Sequence, residues 1–119
     1  MAQPGGNPKL TNGLGSTPTD RHYVTASQAQ TIIQGAATNA TSLKVPENIA
    51  VVDPSGLLVA FLRMDNAWAG SVDIAIKKAR TAVLVNGMPS GGLYKPAQPA
   101  QALYGIERTN DGLVVFGGG

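Results

Sequence analysis

Two short apolar runs separated by a turn sequence constrain the fold of this chain more than any other feature. The runs are residues 49–52, Ile-Ala-Val-Val, and residues 57–62, Leu-Leu-Val-Ala-Phe-Leu, and residues 53–56 between them read Asp-Pro-Ser-Gly. Asp first, Pro second and Gly fourth are typical of a type I turn, so the sequence predicts an antiparallel hairpin. Because apolar residues occupy both faces, helices or another subunit must cover both sides of this sheet.

Two amphipathic segments predict the helices that cover the hairpin. Between residues 26 and 43, apolar side chains recur at steps of three and four, which is the spacing of one helical face. Thr25 and Gln28 form a capping-box pattern at the start of this segment. A second helix is predicted over residues 71–85, with Ser71 as its N-cap and Asp73 near the positive end of its dipole.

The remaining segments complete an α/β prediction. Residues 1–20 are rich in Gly and Pro and are expected to form a flexible N-terminal arm, which assigns the domain to residues 21–119. Residues 99–104 favour a short helical turn, and residues 113–116, Leu-Val-Val-Phe, predict a last strand. Together these elements indicate one small α/β (α+β) domain, an antiparallel sheet flanked by helices.

The composition excludes several classes of function. The chain of 119 residues has no cysteine, which excludes disulfides, thiolate metal sites and cysteine nucleophiles. Nine Lys and Arg against seven Asp and Glu give a net charge of +2, an imbalance too small to predict nucleic acid as a partner. No apolar stretch approaches the roughly 18 residues of a membrane-spanning helix, so no membrane insertion is expected.

The N-terminal residues bear on location. Ala2 and Gln3 followed by a Gly/Pro-rich stretch are typical of what remains after signal-peptide cleavage, with Met1 added for expression. This pattern predicts an exported, periplasmic protein. A cytoplasmic protein with a flexible N-terminus fits the same residues.

Motifs in the hairpin and the second helix are similar to those of a known family. They are Val51-Val52-Asp53-x-x-Gly56-x-Leu58, Arg63-Met64-Asp65, Ser71, Ala75-x-x-Lys78-Ala79-x-Thr81-Ala82 and Gly117-Gly118-Gly119. In this order and spacing they resemble the haem-binding GlcG/HbpS-like family, to which PduO-type C-terminal domains are related, over residues 21–119. The resemblance implies a profilin-like domain that forms homo-oligomers and binds haem. It also implies two strands and a helix after the glycines that this sequence lacks, so a second chain is expected to cover a sheet edge.

Four side chains are candidates for binding haem. His22, the only histidine, precedes the first helix, where the family can also carry one, and neutral imidazole is an ordinary ligand of haem iron. The resemblance places Thr81 against the haem, where its hydroxyl would be a weak metal ligand. Arg63 and Lys78 are expected to pair with the haem carboxylates. Each of the four also fits a purely structural role: His22 could be a solvated residue of the arm, and Thr81 could be a helix threonine that packs in the core.

Four further side chains are candidates to contact a flat ligand. Met64 and Met88 are thioether ligands or, on the more common pattern, core residues. Trp68 and Tyr94 are candidates to sandwich a ring, and Trp68 is expected at a pocket rim or a subunit interface.

The leading functional hypothesis is a small haem-binding protein that acts in haem or iron handling, sensing or storage. No catalytic residue is predicted, because the single histidine lacks a nucleophilic partner, and Asp53 and Asp65 lie at opposite ends of a strand. Two alternatives stay open. One is an enzyme or enzyme subunit that binds a small organic acid through Arg63, and the other is a structural subunit whose sheet is completed by a second chain.

Overall fold

Two helices and one hairpin make up the regular part of the chain. The computed structural model describes residues 16–119, and residues 1–15 of the predicted arm lie outside the described residues. The elements are helix α1 (Ala26–Leu43), strand β1 (Asn48–Val52), strand β2 (Leu58–Arg63) and helix α2 (Ser71–Leu84), with short 3-10 helices at Pro18–Asp20, Ser90–Leu93 and Ile106–Arg108. None of the helices in the described part of the chain has the length and apolar character needed to cross a membrane.

The predicted hairpin is confirmed, and Asp53 holds its turn. The Asp53 carboxylate accepts hydrogen bonds from the backbone N–H groups of Ser55, at 2.8 Å, and Leu57, at 3.2 Å. The Gly56 N–H donates to the Asp53 carbonyl at 2.8 Å and closes the turn. Gly56 has φ of +81°, a left-handed conformation that glycine adopts without strain.

Two glycine substitutions should have opposite effects on stability. Gly56→Ala should lower the free energy of unfolding by about 1 kcal/mol, because an L side chain is strained at a positive φ. Gly35→Ala should raise it by roughly 0.5–1 kcal/mol, because Gly35 lies inside α1 and an added Cβ would meet nothing within 4 Å. Urea unfolding followed by circular dichroism measures both, and changes of the same sign would contradict this account.

The core lies between α1 and one face of the hairpin. Ala29 and Ile33 of α1 pack on Ala60 of β2. Partly buried residues surround this cluster: Val24, Ile49, Val51, Val59 and Leu62. Since side chains alternate along a strand, the neighbours of Ile49 and Val51 in β1 point to the opposite face, where α2 packs. The α/β class, with an antiparallel sheet flanked by helices, is confirmed.

The helix starts agree with the sequence patterns only in part. At α1, the Thr25 hydroxyl accepts from the Gln28 N–H at 3.0 Å and the Gln28 side chain accepts from the Thr25 N–H at 2.9 Å, which confirms the capping box. Ser71 was a wrong prediction for the N-cap of α2, since Gly70 holds that position. The Ser71 hydroxyl instead donates to the Trp68 carbonyl and accepts from the Asn48 side chain, a tertiary contact that the local pattern does not contain.

The C-terminal segment corrects two further predictions. Residues 113–116 do not form a strand, because the Val114 N–H donates to the Thr81 hydroxyl of α2 rather than to a neighbouring strand. Residues 99–104 form turns and not a helix, since Ala100 has φ of +68°, which interrupts helical geometry. The apolar side chains at Leu113 and Val114 are nevertheless buried. Burial, and not strand pairing, accounts for the apolar pattern of this segment.

Candidate functional site

A hollow of about 280 Å³ surrounds His22 where the chain enters α1. Three parts of the fold form its walls: the residues before α1, the turn after β1 and the end of α2. Its apolar lining consists of Val24, Val52, Pro54 and Val83, and its polar lining includes Ser16, Asp20, Arg21, His22 and Asp53. The hollow therefore combines an imidazole with apolar surface and charges of both signs.

Hydrogen bonds anchor the chain on both sides of His22. The Arg21 guanidinium donates to the Ser16 hydroxyl at 3.0 Å and to the Asn86 side-chain oxygen at 2.8 Å. On the other side, the hydroxyls of Tyr23 and Ser55 lie 2.7 Å apart. These contacts tie the residues before α1 to the end of α2 and to the hairpin turn. His22 is thus carried on a positioned segment although its own side chain is exposed.

The titratable groups of the hollow differ in whether they already form hydrogen bonds within the protein. The hydroxyl and the backbone N–H of Thr17 donate to the Asp20 carboxylate and hold the pKa of Asp20 below its usual value. The Asp53 carboxylate is engaged in the hairpin turn. No hydrogen bond joins the His22 imidazole to another residue in the range 16–119. A ring nitrogen of His22 is therefore available to a ligand.

Thr81 lies in a different environment. It is fully buried in α2, its hydroxyl donates to the Lys77 carbonyl at 2.7 Å, and the same oxygen accepts from the Val114 N–H at 3.0 Å. The hydroxyl thus joins α2 to the C-terminal segment. It lines neither the hollow nor the larger cleft described below.

Arg63 and Lys78 also lie apart from His22. Lys78 donates to the Gly117 carbonyl at 2.5 Å, and its amino group stands 4.3 Å from the centre of the Phe116 ring. Arg63 is exposed at the end of β2. Lys78 and Thr81 thus lie one turn apart on α2 and both contact the C-terminal segment, whereas His22 and Arg63 lie elsewhere in the fold.

The other candidates divide between core and surface. Met88 is buried and Met64 is half-buried, as expected of core residues. Tyr94 is half exposed, and Trp68 is 82% exposed at a cleft beside β1. Trp68 is thus a rim residue, as predicted, and it lies away from the cavity that contains His22.

The cleft has a volume of about 760 Å³ and follows β1 on the side away from β2. Its lining comes from α1, from the residues that lead into β1, from α2 and from Gly118 and Gly119. The lining is mostly apolar, and Glu47 and Lys78 are its two charged residues among those described. It contains neither His, Cys, Met nor Tyr from the described chain, so the usual side-chain ligands of haem iron are missing there.

Comparison with known proteins places the chain in a family. A family model described as haem degrading protein HbpS-like matches residues 24–119. The chain belongs to the HbpS-like family. The resemblance seen in the hairpin and α2 motifs is thereby confirmed. The matched region begins after His22, so the family match does not itself assign a role to that histidine.

Three relatives show how this HbpS-like chain compares in length. An uncharacterized 15.0 kDa protein in the dhaT-dhaS intergenic region of Citrobacter freundii is 34% identical over 97 residues, 81% of this chain and 68% of that protein. The corrinoid adenosyltransferase PduO of the same organism is 39% identical over 89 residues, 74% of this chain but 26% of PduO. The crystal structure of Klebsiella pneumoniae protein ORFY has a TM-score of 0.77 at 30% identity, covering 92% of this chain and 72% of ORFY. The chain thus spans about a quarter of PduO.

Sequence reasoning found His22 but missed the residues around it. Arg21 is adjacent to His22 in the sequence, and that adjacency was the available signal for a second polar group in the hollow. Val83 lines the hollow and Asn86 accepts a hydrogen bond from Arg21, although both are more than 60 positions away along the chain, because α2 ends beside the hairpin turn. No local pattern contains that information.

Proposed function

We propose that this HbpS-like chain binds haem at the hollow before α1, with the His22 imidazole as the ligand of the iron, and serves in haem or iron handling, sensing or storage. The observation that carries the proposal is the exposed His22 side chain on an anchored segment beside an apolar wall. The family description, which names haem, supports the choice of ligand. Haem iron is commonly held by a histidine, whose neutral ring nitrogen is the donor.

The residues of the hollow fit the chemistry of haem. The His22 imidazole is a ligand for the iron, and the side chains of the valines and Pro54 offer apolar contacts to the edge of a porphyrin. The Arg21 guanidinium uses Nε and Nη2 in its contacts with Ser16 and Asn86, which leaves Nη1 to pair with a carboxylate. A volume of about 280 Å³ lies just below the roughly 300–1,000 Å³ typical of small-molecule pockets and encloses only part of a porphyrin.

The roles of the protein in this proposal are binding and orientation. When bound, haem supplies an iron centre able to change its redox state and exchange ligands. His22 holds the iron, Arg21 orients the ring by one carboxylate, and the apolar wall excludes water from one edge. Because the site is shallow and exposed, we expect reversible loading, which suits handling or sensing more than permanent retention.

Titration of the full chain with haemin tests the proposal. The wild-type chain should give a saturable change in the Soret band. His22→Ala should weaken binding by at least the roughly 10–100-fold that loss of an outer-shell partner costs at a metal site, because it removes the ligand itself. Thr38→Ala is the control, since Thr38 is exposed on α1, does not line the hollow, and should leave the affinity unchanged when replaced.

Chemical rescue separates ligation from a structural effect. Adding free imidazole to His22→Ala should restore the Soret spectrum of the wild-type complex, because the added ring takes the vacated coordination position. Equal haemin affinity of His22→Ala and the wild-type chain would overturn the proposal. So would the absence of saturable haemin binding by the wild-type chain.

A further inference from the structure

The hollow before α1 offers a single side chain of the kind that binds haem iron. His22 is the only histidine in the chain of 119 residues, and among residues 16–119 no Met, Cys, Lys or Tyr lines the hollow. The hydroxyl of the next residue, Tyr23, lies 2.7 Å from the Ser55 hydroxyl and outside that lining. One chain therefore supplies one axial ligand, whereas haem iron has two axial positions.

The hollow also offers a single cationic side chain to the haem carboxylates. Arg21 is the one Lys or Arg in its described lining. Nε and Nη2 of the guanidinium donate to Ser16 and Asn86, so Nη1 is the nitrogen left to pair with a carboxylate. The carboxylates of Asp20 and Asp53 in the same lining already accept hydrogen bonds from the protein. Haem carries two carboxylates, and one chain is thus matched to one of them.

A haem held in this hollow keeps much of its apolar surface in contact with water. The hollow has a volume of about 280 Å³ and encloses only part of a porphyrin. The side chains of His22 and the adjacent Tyr23 are exposed, the latter to 66%, so this side of the molecule is open to a second chain. Exposed apolar surface favours association, because association removes that surface from water.

The symmetry of haem fits two copies of one chain. To a close approximation, rotation by half a turn about an axis in the plane of the ring, through the iron, exchanges the two faces and the two carboxylates. Two chains related by that axis would place one His22 on each face of the iron and one Arg21 beside each carboxylate. Twofold symmetry of this kind is the commonest arrangement of identical subunits.

We propose that one haem joins two copies of this chain, with the two His22 imidazoles as its axial ligands and one Arg21 guanidinium on each carboxylate. This pairing rests on the haem site proposed above and adds its partner, a second copy of the chain. The second copy supplies the axial ligand that the described lining of the hollow lacks. It also covers part of the ring that a single hollow leaves exposed. Loading and release of haem thus control the pairing of the two sites.

Haemin titration of the full, untagged chain in a buffer without imidazole, followed by electron paramagnetic resonance, tests the pairing. Because His22 is the only histidine, a low-spin ferric signal of haem with two imidazole ligands requires two chains. That signal should reach its maximum at one haemin per two chains. It should fall at least about tenfold in His22→Ala, which lacks the ligand. Thr38→Ala, which alters an exposed residue of α1 outside the lining, should keep the full signal.

Esterified haemin tests the part played by Arg21. Haemin dimethyl ester keeps the iron and lacks both charged carboxylates, so the wild-type chain should bind it at least about tenfold more weakly than haemin. Arg21→Gln removes the cation, so its affinities for haemin and for the ester should differ by less than about threefold. Arg108→Gln is the matched control, because Arg108 is exposed and lies outside the lining. This variant should keep the wild-type preference for haemin.

The outcomes distinguish the pairing of chains from the haem site itself. Saturation at one haemin per chain, with the signal of a single imidazole ligand, would overturn the pairing and leave His22 as the ligand. An undiminished preference of Arg21→Gln for haemin over the ester would overturn the contact between Arg21 and the carboxylates. Absence of saturable haemin binding, or a low-spin signal that survives in His22→Ala, would overturn the haem site and the pairing with it.

Discussion

Replacing Thr81 with valine should lower the free energy of unfolding by about 1–3 kcal/mol, the range for leaving a buried hydrogen-bonding group without its partner. Valine keeps the shape of threonine but removes the oxygen that accepts from the Val114 N–H. Both residues are buried, so water cannot replace that oxygen. The C-terminal segment should also detach more readily from α2. Thermal or urea unfolding measures the first effect, and amide exchange at Val114 measures the second.

Thr41→Val is the matched control for this experiment. Thr41 lies in α1, and its hydroxyl donates to the carbonyl four residues earlier at 2.8 Å, as the Thr81 hydroxyl does. Thr41 is exposed, and its hydroxyl accepts no hydrogen bond from another backbone N–H of the described chain. Its replacement should therefore change the free energy of unfolding by less than about 0.5 kcal/mol. Equal losses from the two variants would show that the Val114 contact contributes nothing. A weakened haemin affinity in a fully stable Thr81→Val variant would restore Thr81 to the haem site.

Ile33→Ala should have a still larger effect on stability. Ile33 is 3% exposed and lies in the cluster that joins α1 to the hairpin. Truncating a buried isoleucine at Cβ lowers the free energy of unfolding by about 2–5 kcal/mol. The removed atoms no longer contribute their free energy of transfer out of water, and a cavity remains. A small domain is stable by roughly 5–15 kcal/mol, so a large share of its stability depends on this residue. Equilibrium urea unfolding provides the measurement.

The neighbouring isoleucine provides the control. Ile32 is 51% exposed on the outer side of α1, and Ile32→Ala makes the same chemical change at the next position. We expect a loss below about 1 kcal/mol, because little apolar surface is removed from a packed environment. A comparable loss at both positions would mean that the outer face of α1 is also covered in solution. The oligomeric state of the two variants, measured by light scattering, would then show whether a second copy of the chain covers that face.

Much of the local structure follows from short-range patterns. The hairpin follows from two apolar runs around Asp-Pro-Ser-Gly, and the start of α1 from Thr25 and Gln28. These predictions succeed because the stabilising contacts lie within a few residues of one another. The predicted last strand failed for the complementary reason. In the apolar run at residues 113–116, Leu113 and Val114 are buried and Val114 bonds to α2, and burial without pairing gives the same sequence signal as a buried strand.

The candidate site was only partly accessible to sequence reasoning. His22 stood out as the single histidine, and its position before α1 is local information. Whether Thr81, Arg63 and Lys78 share its site depends on which faces of β2 and α2 meet the start of α1. The structure places them elsewhere, with Thr81 inside the fold and Lys78 at the β1 cleft. Residue type and spacing along the chain do not determine that arrangement.

The sequence by itself determined the α/β class, the hairpin and the family, because each depends on patterns among residues that lie close together in the sequence. Only the tertiary structure decided that His22 shares a hollow with Arg21 and Val83, and that β1 lies beside a cleft between two helices. Both features arise where segments far apart in the chain pack together. Their positions are set by the summed burial of apolar faces, which no single segment specifies.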